Sequence, residues 1–291
     1  MNKCCLILLL LALFSCVQEK KNVKLSPGTP FNPGSGIPLL WPSAAFPLNL
    51  FISEDFVNED FNPADDDAHG HDPFEQMQEN WDQAVPELNF FALPATNATN
   101  KDNGSLGSFN DGLLGIYKSR NWFASVSANA LAITQYFGIR RNVGSASEYL
   151  EMTHADIMVN YRDFNFNLDP GSGAAYDLPS VVLHELGHFL GMPHQGNFSI
   201  PSVMQPFMSI IESNRVLEAY DTNSIRDNYA GYFPLMAGNA AVSAGAVATA
   251  GASISGPDAN EGQVVSGLIE LHSDGNCLHY ENGVFKYAHL K

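Results

Sequence analysis

Cysteines and basic residues are both scarce in this chain of 291 residues. Of its 4 cysteines, all but Cys277 lie at or before position 16. The rest of the chain therefore cannot form an internal disulfide, and we expect Cys277 to be a half-buried small residue rather than a reactive group. The chain has 14 lysines and arginines and 31 acidic residues, which gives a net charge of −17. This balance argues against a nucleic-acid partner, because phosphate binding needs clustered basic side chains.

Long apolar runs are also rare, and the one at the amino terminus is short. The sequence CCLILLLLALF follows the positively charged start MNK and precedes Ser15 and Cys16. It is too short to span a bilayer comfortably, so residues 1–15 are interpreted as a secretory signal. Leu13, Ser15 and Cys16 also match a bacterial lipobox, in which the cysteine is lipidated. We expect an exported lipoprotein anchored through Cys16 in the outer membrane or at the cell surface, with plain secretion as the alternative.

Composition divides the rest of the chain into four segments. A stretch rich in proline, glycine, serine and lysine precedes a main domain of ordinary globular composition. A nearly uncharged stretch of small residues then leads to a tail with alternating apolar residues and two Asx-Gly turn signals. The segments are a lipidated amino terminus and flexible tether (residues 16–46), the main domain (47–236), a low-complexity linker (237–260) and a small β-rich tail (261–291).

Local patterns in the main domain predict both strands and helices. Alternating apolar residues predict strands at PLNLFIS, ELNFFAL, GLLGIYKS, ALAITQYFGIR and HADIMVNY. Helical spacing predicts a helix that begins at Pro73, and another, SVVLHELGHFLG, that begins near Asp177 and ends at Gly191. A short closing helix is expected to be capped by Asp221 or Thr222. Residues 95–111 are predicted to be a loop.

The sequence HELGHFLGMPH, from His184 to His194, concentrates the chemistry of the chain. On a helix, His184 and His188 lie one turn apart on the same face, where two imidazoles bind one zinc ion. Glu185 can reach a water at that metal without being a ligand. Gly191 can adopt the left-handed conformation that ends a helix, which returns His194 as a third ligand. Three protein ligands leave a fourth position for water, as in catalytic zinc sites. The alternative is a helix that carries histidines by chance.

The same sequence resembles the zinc-binding signature of the metzincin peptidases. These proteins also carry a turn with a methionine beneath the metal, and SVMQPF offers Met204 for that turn. The segment from Met204 to Pro206 is similar to the methionine-containing turn of the matrixins. HADIMVNY and YDTNSIRDNYAG also resemble segments of matrixin-like peptidases. Gln195 stands where matrixins usually have serine, so the subfamily is left open. The resemblance implies an α+β, zincin-like (metzincin) domain with a twisted five-stranded mixed sheet, an active-site helix, a Met-turn and a C-terminal helix.

The resemblance also implies a zinc-dependent endopeptidase that acts on a protein or peptide substrate. One catalytic zinc would be held by His184, His188 and His194, and Glu185 would take a proton from the attacking water. The strand ALAITQYFG resembles the metzincin edge strand above the cleft, so an extended peptide is expected to pair with its free backbone groups. Two alternatives stay open: a non-catalytic zinc-containing surface binding protein, and a peptidase whose tail is an adhesive β module. The sequence indicates no oligomeric state.

A second metal site is a weaker hypothesis, based on the acidic sequence DDDAHGHD. Asp65, Asp67, His69 and His71 could bind calcium or a second zinc, and the Asn, Asp and Gly content of residues 165–177 is a similar hint of calcium. Short acidic loops are more often only solvated, and this reading stays open beside the metal hypothesis.

Overall fold

The computed structural model describes residues 37–169, 175–210, 212–232 and 261–289. The predicted signal, Cys16 and the low-complexity linker lie outside the described residues. Within the described ranges, no helix has both the length and the apolar character needed to cross a membrane.

The described residues form eleven strands and four α-helices. The strands are β1 (Leu39–Leu40), β2 (Leu50–Ser53), β3 (Thr96–Ala98), β4 (Leu114–Ser119), β5 (Ala130–Arg141), β6 (Tyr149–Asn160), β7 (Phe166–Asn167), β8 (Tyr176–Asp177), β9 (Val264–His272), β10 (Cys277–Glu281) and β11 (Val284–His289). The helices are α1 (Glu54–Glu59), α2 (Pro73–Ala84), α3 (Leu178–Phe189) and α4 (Ala219–Asn228).

A nine-stranded mixed sheet organises the fold, and β7 and β8 form a separate two-stranded sheet. In the larger sheet the strand order is β11-β10-β9-β5-β6-β4-β2-β3, and β1 pairs separately with β6. Strands β3, β2, β4 and β6 run parallel to one another, whereas β5 is antiparallel to β6. These five strands form the five-stranded mixed sheet that the sequence predicts. The predicted fold class is therefore confirmed, and the strands of the tail extend the same sheet.

The main apolar core lies where α2, α3 and α4 pack together with one face of the sheet. Helix α2 begins with a capping box, in which the Asp72 carboxylate accepts the backbone N–H of Glu75 and the Glu75 side chain accepts that of Asp72. Its residues Phe74 and Trp81 are fully buried at helical spacing. In α4 the cap is Glu218 rather than the predicted Asp221 or Thr222. This helix begins one turn earlier than its apolar pattern indicates.

The predicted second strand, ELNFFAL, is wrong apart from one isolated bridge between Leu48 and Phe91. Phe90 and Phe91 are buried in the core, but Asn89 adopts a left-handed conformation with φ 51° that interrupts an extended segment. The neighbouring strand is instead β3, which lies in the segment predicted to be a loop. The apolar pattern therefore indicates burial here and not strand pairing.

Residues 37–46 fall in the predicted tether, yet they pack against the main domain. Trp41 is 3% exposed, and its Nε1–H donates to the carbonyl oxygen of Phe189 at 2.7 Å. Leu39 pairs with Leu150 in β6. The folded part of the chain therefore begins before Trp41 rather than at Pro47.

The tail is continuous with the main sheet. Strand β9 runs antiparallel to β5, β10 follows β9, and β11 follows β10. The turns lie where the sequence predicts them: Gly275 has φ 84°, and Asn282 and Gly283 have φ 52° and 72°. The prediction that β5 is an edge strand with free backbone groups is wrong, because β9 occupies that edge.

Candidate metal centre

Helix α3 is buried along its whole length and is fixed at both ends. The Asp177 side chain caps its amino terminus by accepting the backbone N–H of Ser180 at 3.2 Å. Arg215 anchors the same carboxylate through Nε at 2.9 Å. At the other end, Gly191 has φ 84°, the left-handed conformation expected at this position. The two ends hold the histidines of the helix in a fixed orientation.

Three histidine side chains converge beside α3. The Nε2 atoms of His184 and His188 are 3.0 Å apart, and those of His188 and His194 are 2.9 Å apart. The third separation, between the Nε2 atoms of His184 and His194, is 3.0 Å. All three residues are buried. The turn at Gly191 thus brings His194 back to the two histidines of the helix, as the spacing predicts.

The contacts of the Nδ1 atoms show how two of the rings are oriented. His184 Nδ1 lies 2.7 Å from the carbonyl oxygen of Val203, and His188 Nδ1 lies 2.7 Å from that of Met192. A carbonyl oxygen can only accept, so both Nδ1 atoms donate, and in the neutral rings both Nε2 atoms carry lone pairs. Burial lowers the pKa of His184 to about 4, which keeps this ring neutral near pH 7.

Two lone pairs that face each other at 3.0 Å repel unless a cation lies between them. Three convergent imidazoles, two of them oriented through Nδ1, are a ligand set that suits zinc. The residues present therefore fit a zinc ion held by His184, His188 and His194.

Glu185 lies next to this cluster and is also fully buried. Its Oε2 accepts a hydrogen bond from Thr134 Oγ1 at 2.5 Å, whereas Oε1 has no hydrogen-bond partner within the described part of the chain. Burial raises the pKa of this carboxyl group to about 8, although the Thr134 hydrogen bond opposes the rise. The arrangement presents one unpaired carboxylate oxygen in a fixed orientation.

Met204 lies in close contact with α3 at Gly187. A Cβ atom added at Gly187 would lie 2.2 Å from Met204 Sδ, so only glycine permits this approach. The preceding residue, Val203, is held by the buried carboxylate of Asp221, which accepts its backbone N–H at 2.9 Å. Because the carbonyl group of Val203 orients His184, Asp221 supports the cluster indirectly.

Comparison with known proteins identifies the family. A profile of the peptidase M10 family, described as Matrixin, matches residues 57–230 and includes the whole histidine cluster. The chain belongs to the matrixin family. No curated protein matches it at a significant level. The predicted resemblance to matrixin-like metzincins is confirmed, and the activity of the family is that of a metallopeptidase.

Several contacts of this matrixin centre are not predicted by the sequence. His279 of β10 places its Nε2 3.0 Å from Nδ1 of His194, and Cys277 Sγ lies 3.2 Å from the same atom. Cys277 is completely buried rather than half-buried, and burial raises the pKa of its thiol well above the usual value. Thr134 was also missed. The strand patterns around Thr134 and His279 are visible in the sequence, but nothing local indicates that these strands meet at the histidines.

The acidic sequence of the second metal hypothesis forms a compact turn. The Asp67 carboxylate accepts the backbone N–H groups of His69 and His71 at 2.7 and 2.9 Å. Ligand atoms of Asp67, His71 and Glu79 lie within 4.8 Å of one another in this matrixin, and the group does not include Asp65 or His69. A second zinc or a calcium ion here stays a prediction.

Proposed function

We propose that this matrixin is a zinc-dependent endopeptidase that hydrolyses peptide bonds of proteins at the cell surface. The observation that carries the proposal is the unpaired, buried Oε1 of Glu185, the residue that follows the first of three convergent histidines. A buried carboxyl group with an unsatisfied oxygen destabilises a fold. A centre that only held a metal would not need this group, whereas a centre that moves a proton does.

The residues of the centre divide the work between them. Zinc held by His184, His188 and His194 would supply Lewis-acid chemistry that makes water nucleophilic near neutral pH. Glu185 accepts the proton of the attacking water at Oε1 and returns it to the leaving amine. A neighbouring cation favours the charged form of this carboxyl group, which makes it a base at neutral pH. Thr134 holds Oε2 and so keeps Oε1 directed toward the reaction.

The cellular location is part of the same proposal. The lipobox pattern that ends at Cys16 supports a lipid anchor in the outer membrane or at the cell surface. Metabolic labelling with a palmitate analogue, followed by peptide mapping, tests it. Label on the amino-terminal peptide that begins at Cys16 is expected, and a mature protein without label would instead indicate plain secretion.

The activity is tested with a library of quenched peptides and the zinc-loaded chain. Glu185→Gln is expected to lower the rate by about 10²–10⁴-fold, because it removes the proton acceptor. Its zinc content, measured by mass spectrometry, should stay at one ion per chain. His188→Ala should lose zinc and activity together, and Glu54→Gln, an exposed change on α1, should alter neither. Undiminished hydrolysis by Glu185→Gln would contradict the proposal.

The alternative function, a zinc-containing surface binding protein without catalysis, is favoured by one observation. His184, Glu185 and His188 are each 0% exposed and His194 is 3% exposed, so the centre is almost completely shielded from solvent. Peptide hydrolysis that depends on both zinc and Glu185 separates the two functions, because the binding protein would show none.

A further inference from the structure

The backbone of β5 is paired on both sides. Along one side it pairs with β6, and along the other it pairs with β9 from Ala130, opposite His272, to Ile139, opposite Val264. An extended peptide that approached β5 would need the hydrogen-bonding groups that β9 already uses. The tail strand and a substrate strand therefore compete for one edge.

Strand β9 also lies beside the residue that holds the proposed general base. Ile269 is the residue opposite Thr134, the side chain that holds Glu185. Ile269 and Leu271 are buried in the main apolar core, together with residues of α3. The competition thus takes place at the level of the proposed general base.

The next strand, β10, fills the space beside the histidine cluster. His279 and Cys277 are 6% and 0% exposed, and both contact the ring of His194. His279 in turn stacks on Tyr287 of β11, with the ring centroids 4.2 Å apart. All three strands of the tail therefore contribute to covering the metal centre.

We propose that the tail segment formed by residues 264–289 is an intramolecular inhibitor that holds the peptidase latent by occupying its substrate-binding edge. The inference rests on the proposed function. It adds that substrate and tail bind mutually exclusively, and that activity requires the tail to leave β5. A polypeptide substrate would have to reach the three histidines that would hold the metal, and His194 is only 3% exposed while the tail is in place.

The pairing of β9 with β5 offers two ways to release the tail without changing a metal ligand. Ile269→Asp places a carboxylate in the apolar space between the sheet and α3, which is unfavourable while the tail is docked. Gly267→Val is the second: a Cβ at Gly267 would lie 1.9 Å from Cζ of Tyr136 in β5. Matched controls are Val264→Asp, on the same strand but 66% exposed, and Gly231→Val, where an added Cβ meets nothing within 4 Å.

Release is measured by alkylation of Cys277 with iodoacetamide at about pH 8, where an exposed thiol with a pKa of about 8.5 reacts. Peptide mapping assigns the label to Cys277, and zinc content and thermal unfolding verify that the main domain is intact. The wild type and both controls should leave Cys277 unlabelled. Ile269→Asp and Gly267→Val should expose it and raise peptide hydrolysis by about tenfold or more, since a closed form leaves at most about a tenth of the molecules competent.

One result would overturn the inference alone, and a different result would overturn the proposed function on which it rests. If the wild type, with Cys277 protected, cleaves peptides as fast as the released variants, the tail does not inhibit and the proposed function stands. If the released variants are folded and loaded with zinc but cleave no peptide, the proposed function itself fails.

Should both variants unfold, the wild type still provides a test with a peptide hydroxamate, a chelating substrate analogue. Its binding, followed by calorimetry, is expected to expose Cys277 to alkylation, because ligand and tail compete. Hydroxamate binding with Cys277 still protected would contradict the inference, as would binding that displaces no part of the tail in hydrogen exchange.

Discussion

The buried carboxyl group of Glu185 predicts a specific pH dependence of stability in the metal-free protein. Its pKa is raised from 4.5 to about 8 by burial. The folded state therefore binds this proton more tightly than the unfolded state does. The stability that the protonated group contributes is fully present below pH 4.5 and is lost as the pH rises through about 8. Glu185→Gln, which cannot ionise, should remove this loss.

The size of the effect follows from the two pKa values. At about 1.4 kcal/mol for each pH unit, a rise from 4.5 to about 8 corresponds to about 5 kcal/mol over the full range. Between about pH 6 and pH 8, the folded state loses about 2 kcal/mol of stability. The loss is smaller than the full slope would give, because Glu185 in the folded state begins to ionise near pH 8. Relative to the wild type, Glu185→Gln should therefore become more stable by about 2 kcal/mol across that interval.

Urea unfolding of both proteins after treatment with a chelator, followed by tryptophan fluorescence, measures this difference. Trp81 is fully buried beside α3 and donates its Nε1–H to the carbonyl oxygen of Leu183, so unfolding of the centre changes its contribution to the emission of the three tryptophans. His184 is present in both proteins, and its titration cancels in the comparison. Glu54→Gln serves as the exposed control. The reasoning would be refuted if the stability difference between Glu185→Gln and the wild type stayed constant within about 0.5 kcal/mol between about pH 6 and pH 8.

Two further predictions concern the support of the centre. Asp221→Ala removes the carboxylate that holds Val203, so zinc affinity should fall by about 10–100-fold. Competition with a chelating dye measures this affinity, and an unchanged value would contradict the role of Asp221. Gly191→Ala introduces a side chain at φ 84°, with its Cβ 2.1 Å from the carbonyl oxygen of Leu39. Its unfolding free energy should drop by about 2–3 kcal/mol, whereas Gly231→Ala should lose far less, and equal losses would show that the contact with Leu39 is unimportant.

The centre was predictable from the sequence to the extent that its geometry is local. The relation of His184 to His188 follows from the helical repeat, and Gly191 and His194 follow from one turn of the chain. The cap at Asp177 was likewise visible in a short stretch of sequence. Such contacts span a few residues, so the spacing in the chain nearly determines the spacing in space.

The remaining contacts depend on strand register across long separations in the chain. Thr134 reaches Glu185 across 51 positions, and His279 reaches His194 across 85. The alternating pattern predicts that β9 and β10 are strands but does not determine which edge they pair with, because any open edge offers the same backbone groups. For this reason the sequence indicates a free β5 edge and a separate tail, whereas the structure joins them.

The packing of Trp41 on the end of α3 bears on the proposed lipid anchor, because it adds residues 37–46 to the folded domain. If Cys16 carries the lipid, 20 residues (17–36) separate it in sequence from Ile37, whereas 30 residues (17–46) would separate it from a domain that began at Pro47. A stretch of 20 residues spans at most about 70 Å when fully extended, whereas a stretch of 30 residues spans at most about 100 Å. An anchored molecule would therefore reach only proteins in a thin layer next to its own membrane.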